Sequence, residues 1–305
     1  MPHDAFHVRS KEVLAVTVLR VAIVAAVLAF LQPSFAAELP ALSDPPTGVA
    51  LPGKFVWADL FTSDYNRSRD FYVDLFGLEW RPLVEGSEPY GLFYLDGVPV
   101  AGLVYRKAPD GNETYGRWIH YISVPDVAAA ETLMVNRGGK QVLDIQSYAR
   151  RGDFAIVAGP DGALVGLMRS SSGDPGDYRA EPGDFIWREL FTANVDESAK
   201  LYATLCKCSA YPRDDAPGHY LLESQNYLRA GISPLVDPTD APGWLGFVRV
   251  SDIAAVTRRA EELGGKVILA PTDDIADGTL AVIRDPAGGY LGLLSWSYAD
   301  AETNP

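Results

Sequence analysis

The sequence predicts an α+β protein in which one order of strands and helices is repeated along the chain. The strand-like stretch FVWADLF at Phe55–Phe61 returns as FIWRELF at Phe185–Phe191. The residues that follow, FTSDYNRSRDFYVDLFG and FTANVDESAKLYATLCK, align without a gap, as do GPDGALVGLM and DPAGGYLGLL further on. Repeats in this fixed order indicate a duplicated domain.

Composition supports two folded domains with an acidic surface. The 305 residues include 48% hydrophobic and 11% aromatic residues, enough apolar surface for two cores of ordinary size. The formal net charge is −14, and such a surface repels nucleic acid. We therefore expect a small-molecule ligand and no nucleic-acid partner, and a homodimer stays open.

The first 36 residues have the pattern of a secretory signal peptide. Arg9 and Lys11 precede the apolar run Val21–Leu31, and small residues stand at Ser34 and Ala36. The run is short for a membrane-spanning helix. We predict export to the periplasm or the medium with cleavage after Ala36. The alternative is an uncleaved anchor, which would be the chain's contact with a membrane.

Residues 37–52 are predicted to be a flexible lead-in, and the first domain then occupies residues 53–170. Its predicted helices are Asn66–Phe76 and Val127–Arg137, where apolar residues recur at helical spacing and Asp126 can cap the second helix. The predicted strands are Phe55–Phe61, Tyr90–Asp96, Val98–Arg106, Arg117–Val124, Phe154–Ala158 and Ala163–Arg169.

The second domain is predicted at residues 184–298, after a linker at 171–183 that is rich in Gly, Pro and Ser. Its last helix ends at the pair Gly264–Gly265, as its counterpart ends at Gly138–Gly139, and glycine favours such helix ends. Residues 299–305 are predicted to be a tail.

The repeated pattern resembles the vicinal oxygen chelate superfamily, which includes glyoxalases, extradiol dioxygenases and bleomycin-resistance proteins. The motifs that carry the resemblance are F-x-W-x-[DE]-L, FYxxLFG, DGxPVAG, GGK and DPxG. The resemblance implies two tandem domains, each of paired βαβββ modules that form an open curved sheet around a cavity. One such fold serves many chemistries, so the resemblance indicates the fold more sharply than the function.

The resemblance also implies a divalent metal held by His, Glu or Gln from four strands of each domain. Carried over residue by residue, these positions fall on side chains that bind no metal: Trp57, Gly102, Ile119 and Gly166, then Trp187, Gly231, Leu245 and Gly292. We therefore expect no metal and no cofactor. The facing glycines would give each indole the room of the absent ion, or the tryptophans are ordinary core residues.

Alternation along the strands places an acid beside each tryptophan, Asp59 with Trp57 and Glu189 with Trp187. A carboxylate among aromatic rings can act as a general acid or base, can hold an amine, or can pair with an arginine, here Arg229. The same parity predicts further inward side chains: Phe55, Phe61, Tyr121 and Met168, then Phe185, Phe191, Phe247, Arg249, Tyr290 and Trp296.

Two histidines follow the predicted cleavage point. His120 is predicted to face the helices as a packed core residue. His219 stands at the start of a strand, as Tyr90 does in the first copy, and is either a proton shuttle or an edge residue.

The predicted function is binding of a small, partly aromatic molecule, in the manner of the drug-sequestering members of the superfamily. The candidate ligand-binding residues are Trp57, Asp59, Tyr121, Trp187, Glu189, Phe191, Arg229, Phe247 and Tyr290. One alternative is a metal-independent isomerase or lyase that uses Asp59 or Glu189 as acid and base. Another is a non-catalytic interaction module with filled cavities.

Overall fold

The structure, a computed structural model, describes residues 39–86, 89–109 and 112–298. The predicted signal peptide and the tail lie outside the described residues. Within those described ranges, no helix has the length and apolar character needed to cross a lipid bilayer.

The described part of the first domain forms one curved sheet of eight strands covered by two helices. The elements are β1 (Phe55–Thr62), α1 (Tyr65–Phe76), β2 (Glu79–Val84), β3 (Tyr90–Leu95), β4 (Val98–Tyr105), β5 (Gly116–Ser123), α2 (Val127–Asn136), β6 (Lys140–Tyr148), β7 (Gly152–Ala158) and β8 (Leu164–Ser170). Their order across the sheet is β2-β3-β4-β1-β5-β8-β7-β6. The predicted βαβββ modules require three strands after each helix, but no bounds were predicted for β2 and β6, the two edge strands.

The second domain repeats this arrangement within the described residues. Its elements are β9 (Phe185–Thr192), α3 (Val195–Cys206), β10 (Ser209–Arg213), β11 (Ala216–Ser224), β12 (Tyr227–Pro234), β13 (Gly243–Val250), α4 (Ile253–Glu262), β14 (Lys266–Leu269), β15 (Leu280–Arg284) and β16 (Tyr290–Ser295). The order β10-β11-β12-β9-β13-β16-β15-β14 matches that of the first sheet. Two tandem domains of paired βαβββ modules are therefore confirmed.

The helix-bearing faces of the two sheets pack against each other, so the four described helices lie between the domains. One shared core joins the second module of the first domain to the first module of the second, with Met134 and Tyr202 at its centre. Another joins the outer modules through Phe71 and Leu291. The concave faces of both sheets point away from this interface, and they are where a ligand can approach.

A β-bulge near the start of β1 and of β9 changes which face of the sheet the first residue of each strand points to. The pairing of β1 with β5 shifts between Phe55 and Trp57, and the pairing of β13 with β9 shifts at the equivalent place. Phe55 therefore packs against Trp244 with ring centroids 4.8 Å apart, and Phe185 packs against Trp118 at 5.5 Å. The prediction that both phenylalanines face the cavities is wrong. The extra residue of the bulge interrupts the alternation, so the phenylalanine before it points to the opposite face of the sheet.

The lead-in and the linker bind each other along the first domain. Ser43 and Gly48 donate backbone hydrogen bonds to Ser172 atoms at 3.1 and 3.0 Å. Asp174 accepts hydrogen bonds from the Leu51 amide and the Ser123 hydroxyl, both at 2.6 Å. The part of the lead-in that the structure describes is thus attached to the domain instead of hanging free of it.

Candidate functional site

Each concave face has a carboxylate at its centre, opposite a glycine. Asp59 on β1 pairs with Gly102 on β4, and Glu189 on β9 pairs with Gly231 on β12. A Cβ added to either glycine would overlap the facing carboxylate. The glycines therefore make room for the acids, whereas the sequence had predicted room for the indole rings. Asp59 and Glu189, and not the tryptophans, therefore occupy the space that the two glycines leave.

A second pair of glycines makes room for aromatic rings. A Cβ at Gly166 would overlap the ring of Tyr121, and a Cβ at Gly292 would overlap the ring of Phe247. Both rings lie flat against the sheet, because each is paired in register with its glycine on the neighbouring parallel strand. These rings form the floor of the two concave faces.

In the first domain the carboxylate is buried and bound by its neighbours. Asp59 is 8% exposed, and it accepts hydrogen bonds from Trp57 Nε1 at 2.8 Å and from the Tyr90 hydroxyl at 3.2 Å. Burial raises the pKa of Asp59, while the Trp57 hydrogen bond and the charge of Arg151 oppose the rise. The acid is part of a closed polar cluster.

Arg151 completes this cluster and was not predicted from the sequence. Its guanidinium lies 4.1 Å from the centre of the Trp57 ring and is 1% exposed. None of its three side-chain nitrogens hydrogen-bonds to a described residue. Burial lowers the pKa of Arg151, and the nearby Tyr90 and Asp59 oppose that change. The site thus places one buried cation near one buried acid, and no hydrogen bond joins the two groups.

The first concave face is filled by its own side chains. A compact cluster covers the sheet around Trp57 and Tyr121, which are 6% and 1% exposed, and includes Leu92, Ile119, Leu143, Ile156 and Met168. Phe61, Tyr90, Tyr94 and Leu42 pack against it. Among the described residues this face has the character of a core, so a ligand would have to displace side chains to enter.

In the second domain the carboxylate lies in a chain of hydrogen bonds. Trp187 Nε1 donates to Glu189 Oε2 at 2.7 Å, and the Ser233 hydroxyl donates to Glu189 Oε1. Nδ1 of His219 lies 2.6 Å from the Ser233 oxygen. Burial raises the pKa of Glu189, and the hydrogen bonds from Ser233 and Trp187 oppose the rise. Burial and the charge of Arg213 lower the pKa of His219.

The second concave face is more open than the first. Trp187 and Tyr290 are half-buried, whereas Trp57, the counterpart of Trp187, is buried. Phe191 is half-buried, as is its counterpart Phe61. Phe247 is 5% exposed and lies beneath them against the sheet. An aromatic surface that surrounds one carboxylate and reaches solvent can hold a flat ligand and contact its polar groups.

Arg229 and Arg249 bind elsewhere than the sequence predicted. Arg229 forms a two-pronged ion pair with Asp177 in the linker, at 2.6 and 3.1 Å, and does not pair with Glu189. Arg249 donates to the backbone carbonyls of Trp296 and Ala180 at 2.9 and 3.0 Å. Arg229 therefore attaches the linker to the second domain, and Arg249 attaches the linker and the last segment to it.

His120 is fully buried between the domains, as the alternation predicts. Its Nδ1 accepts a hydrogen bond from Nε of Arg188 at 3.0 Å. Burial and the Arg188 charge hold the pKa of His120 well below its usual range. A cavity of about 140 Å³ also lies at the domain interface, lined by Thr114, Lys266, Arg284 and Asp285 among others, and belongs to neither concave face.

The residues at the metal positions of the superfamily do not fit a metal ion. Gly102 and Gly231 lie against the only carboxylates that the described strands place at the centre of each concave face. Among the described residues, no three His, Cys, Asp or Glu side chains lie close enough together to hold a metal. A single carboxylate with aromatic neighbours lacks the donor set that a divalent ion requires.

Comparison with known proteins agrees with the fold. Residues 54–167 match the family model of the glyoxalase/bleomycin resistance protein/dioxygenase superfamily. The anthracycline biosynthesis protein DauV of Streptomyces sp. strain C5 is 30% identical over 260 residues, which cover 80% of this chain and 93% of DauV. The anthracycline biosynthesis protein DnrV of Streptomyces peucetius is 29% identical over 259 residues, with the same coverage.

Solved structures with the same fold include a metal-bound glyoxalase and a dioxygenase. The Mn(II)-bound glyoxalase of Novosphingobium aromaticivorans superposes with a TM-score of 0.54 at 19% identity, over 81% of this chain and 83% of the glyoxalase. The 2,3-dioxygenase LapB of Pseudomonas sp. KL28 gives a TM-score of 0.53 at 14% identity, over 84% of this chain and 97% of LapB. At such identities the likeness shows the fold alone.

Proposed function

The chain belongs to the glyoxalase/bleomycin resistance protein/dioxygenase superfamily, and from this premise we propose that it binds a planar aromatic small molecule without a metal ion. The proposed site is the concave face of the second domain. Export of the protein is also part of the proposal and rests on residues 1–36 of the sequence alone.

The observation that carries the proposal is the difference between the two concave faces. Asp59 and Glu189 occupy equivalent positions, yet the first face is closed by a buried cluster and the second leaves Trp187 and Tyr290 half-buried. Half-buried aromatic side chains around a polar group are typical of a surface that binds a ligand. The first domain then serves mainly to support the second through the shared cores.

The chemistry of the second face indicates which groups the ligand carries. The carboxylate of Glu189 accepts hydrogen bonds, so a phenolic hydroxyl is a suitable partner, and its protonated form can donate to a carbonyl. The names of DauV and DnrV place those relatives in anthracycline biosynthesis. Anthracyclines are flat fused-ring molecules that carry phenolic hydroxyls and quinone carbonyls, which suits the same surface.

Binding can be tested with 1,4-dihydroxyanthraquinone as the probe, by calorimetric titration of the folded protein. We expect Glu189→Gln to weaken binding about tenfold, since it removes a hydrogen bond to a charged group. Trp187→Ala should weaken binding by about 10- to 100-fold through lost stacking area. Glu262→Gln on α4 is the matched charge control, because Glu262 is exposed and distant from the site.

Loss of binding through Asp59→Asn with no effect of Glu189→Gln would place the site in the first domain and contradict the proposal. Failure of any flat hydroxylated or carbonyl-bearing probe to bind the intact protein would also contradict it. In that case the non-catalytic interaction module becomes the better description.

Independence from metal is a separate prediction. The protein is equilibrated with Zn, Ni, Mn and Fe salts, passed through a desalting column and analysed for bound metal. We expect less than about 0.1 equivalent of each metal, because one carboxylate per face does not provide a coordination sphere. Stoichiometric uptake that Glu189→Gln or Asp59→Asn abolishes would overturn the assignment of these faces as metal-free.

Acid–base catalysis without a metal is the second candidate function, and one observation favours it. Burial raises the pKa of Glu189, so this carboxyl can exchange a proton closer to neutral pH than an exposed glutamate can. Its connection to Ser233 and His219 determines whether the proton has a path to water.

A further inference from the structure

The two domains differ at one equivalent pair of positions beside the central acid. On the first sheet Tyr90 of β3 pairs with Val104 of β4, and the Tyr90 hydroxyl donates directly to Asp59. On the second sheet Tyr220 of β11 pairs with Ile232 of β12. The next residues in this antiparallel register are His219 and Ser233, whose side chains lie within hydrogen-bond distance. In the first domain the hydrogen bonding stops at the Tyr90 hydroxyl, whereas in the second domain it continues from Glu189 through Ser233 to His219.

The distances make this second arrangement a continuous chain. Ser233 Oγ is within hydrogen-bond distance of both Glu189 Oε1 and Nδ1 of His219. Ser233 is 5% exposed, so no bulk water competes for its hydroxyl, whereas His219 is only half-buried and reaches solvent. The chain therefore runs from a carboxylate on the concave face to an imidazole that contacts water.

We propose that Glu189, Ser233 and His219 form a proton relay that connects the ligand face of the second domain to bulk water. The relay rests on the proposed function, because a ligand on that face would cover Glu189 and leave His219 as its route to solvent. The substrate class that such a relay serves is a flat aromatic ketone or phenol that interconverts between keto and enol forms.

The proton balance of one turnover closes without a further reactant. The starting state has Glu189 ionised and the proton of His219 on Nδ1, with the ligand bound as its enolate. Nε2 of His219 takes a proton from water, Nδ1 passes its own proton to Ser233 Oγ, and the proton of Ser233 moves to Glu189. The new carboxylic acid gives this proton to the carbon next to the ring carbonyl, where the enolate electron pair forms the C–H bond of the ketone. In the reverse sequence Glu189 takes the proton from that carbon, the chain carries a proton outward, and Nε2 releases one to water, which restores the Nδ1–H ring.

The electrostatic surroundings favour exchange along this chain. The pKa of Glu189 is raised and that of His219 is lowered, and both changes reduce the difference in proton affinity between the two groups. Arg213 lowers the pKa at both ends, and Asp215 raises that of His219. Trp187 donates to the other oxygen of the carboxylate and is not on the path.

The first experiment needs no ligand and measures the tautomer of His219 by ¹⁵N NMR. With Glu189 ionised, Ser233 donates to the carboxylate and must accept from His219, so the proton resides on Nδ1. We expect Ser233→Ala to return the ring to the Nε2–H form and Ser233→Thr to restore the Nδ1–H form. Ser209→Ala, an exposed serine on β10, is the matched control. An Nε2–H ring in the unmodified protein contradicts the relay.

The second experiment follows hydrogen–deuterium exchange at the methylene of anthrone, a flat ketone with an enol form, in D₂O. We expect the protein to accelerate exchange and Glu189→Gln to remove most of the acceleration, about 100-fold or more. His219→Gln and Ser233→Ala should each slow exchange at least tenfold and abolish its pH dependence near neutrality, and Ser233→Thr should recover it.

The outcomes separate the relay from the proposed binding. If anthrone binds but His219→Gln exchanges at the rate of the unmodified protein, the relay is wrong and the binding function stands. If anthrone does not bind, the binding proposal fails for this ligand class, and the tautomer of His219 decides the relay alone.

Discussion

Gly102 and Gly231 show how a single missing side chain determines the chemistry of a concave face. Each glycine leaves the space in which the carboxylate of Asp59 or Glu189 lies flat against the sheet. The carboxylate can then accept an indole N–H from the tryptophan two residues earlier on its own strand. A larger residue at the glycine would push the acid away from that donor.

This leads to a prediction for alanine at the two glycines, measured by urea unfolding. Gly102→Ala should lower the free energy of unfolding by about 2–3 kcal/mol, since overpacking displaces a buried acid that has no solvent to move into. Gly231→Ala should cost about 1 kcal/mol, because Glu189 can shift onto the open face. Gly243→Ala, where an added Cβ meets nothing within 4 Å, should change stability by less than about 0.5 kcal/mol. Equal losses at Gly102 and Gly231 would contradict the difference between the faces.

At the residue scale, alternation along the first strand of each domain was enough to find Asp59 and Glu189. It did not find Arg151 or Ser233. Arg151 lies in the turn between β6 and β7, and its approach to Trp57 depends on a hairpin for whose first strand no bounds were predicted. Ser233 aligns with Val104, and this difference between the copies was the signal that could have indicated the hydrogen-bonded chain to His219.

At the scale of elements, the central strands were predictable and the edges were not. β2 and β6 lie at the two edges of the first sheet, and Leu143 is the one buried residue in them. Edge strands avoid continuous apolar runs, and Pro82 in β2 further weakens the pattern. The helices were placed almost to the residue, because Asp126 caps the Ala129 amide at 2.8 Å and apolar periodicity continues to Asn136.

The bulges in β1 and β9 are the second element that the sequence does not reveal. A bulge adds one residue to a strand and leaves no mark in composition. It nevertheless reverses the face of Phe55 and Phe185, which become contacts between the domains. The same bulges keep Trp57 and Trp187 on the concave side, so the register of the acids was predicted correctly while that of the phenylalanines was not.

For the whole molecule, the helices between the two sheets lie in hydrophobic cores to which both domains contribute residues. The Tyr72 hydroxyl of α1 donates to Asp285 Oδ2 of the second domain at 2.9 Å and accepts from Trp118 Nε1 at 3.0 Å. The other oxygen of Asp285 accepts three backbone amides of its own turn. The turn before β16 of the second domain is therefore held by a hydroxyl that belongs to the first.

Tyr72→Phe tests this coupling, with Tyr202→Phe as the matched control. Both tyrosines are 2% exposed and accept a tryptophan N–H, but the hydroxyl of Tyr72 also donates to a buried carboxylate. We expect a loss of about 3 kcal/mol for Tyr72→Phe and about 1 kcal/mol for Tyr202→Phe. Calorimetry should still show a single unfolding transition, because the shared cores join both domains.

The pH dependence of that loss follows from Asp285. Burial raises its pKa, and the bonds from its turn amides and from Tyr72 oppose the rise, so removing the hydroxyl raises the pKa further. The folded state of the variant then binds more protons than the unfolded state from about pH 4 upward, and its stability falls as pH rises through the folded pKa. The deficit of Tyr72→Phe should therefore be larger at pH 8 than at pH 5. A deficit that shrinks with pH, or a transition that splits in two, would show that the domains do not depend on this contact.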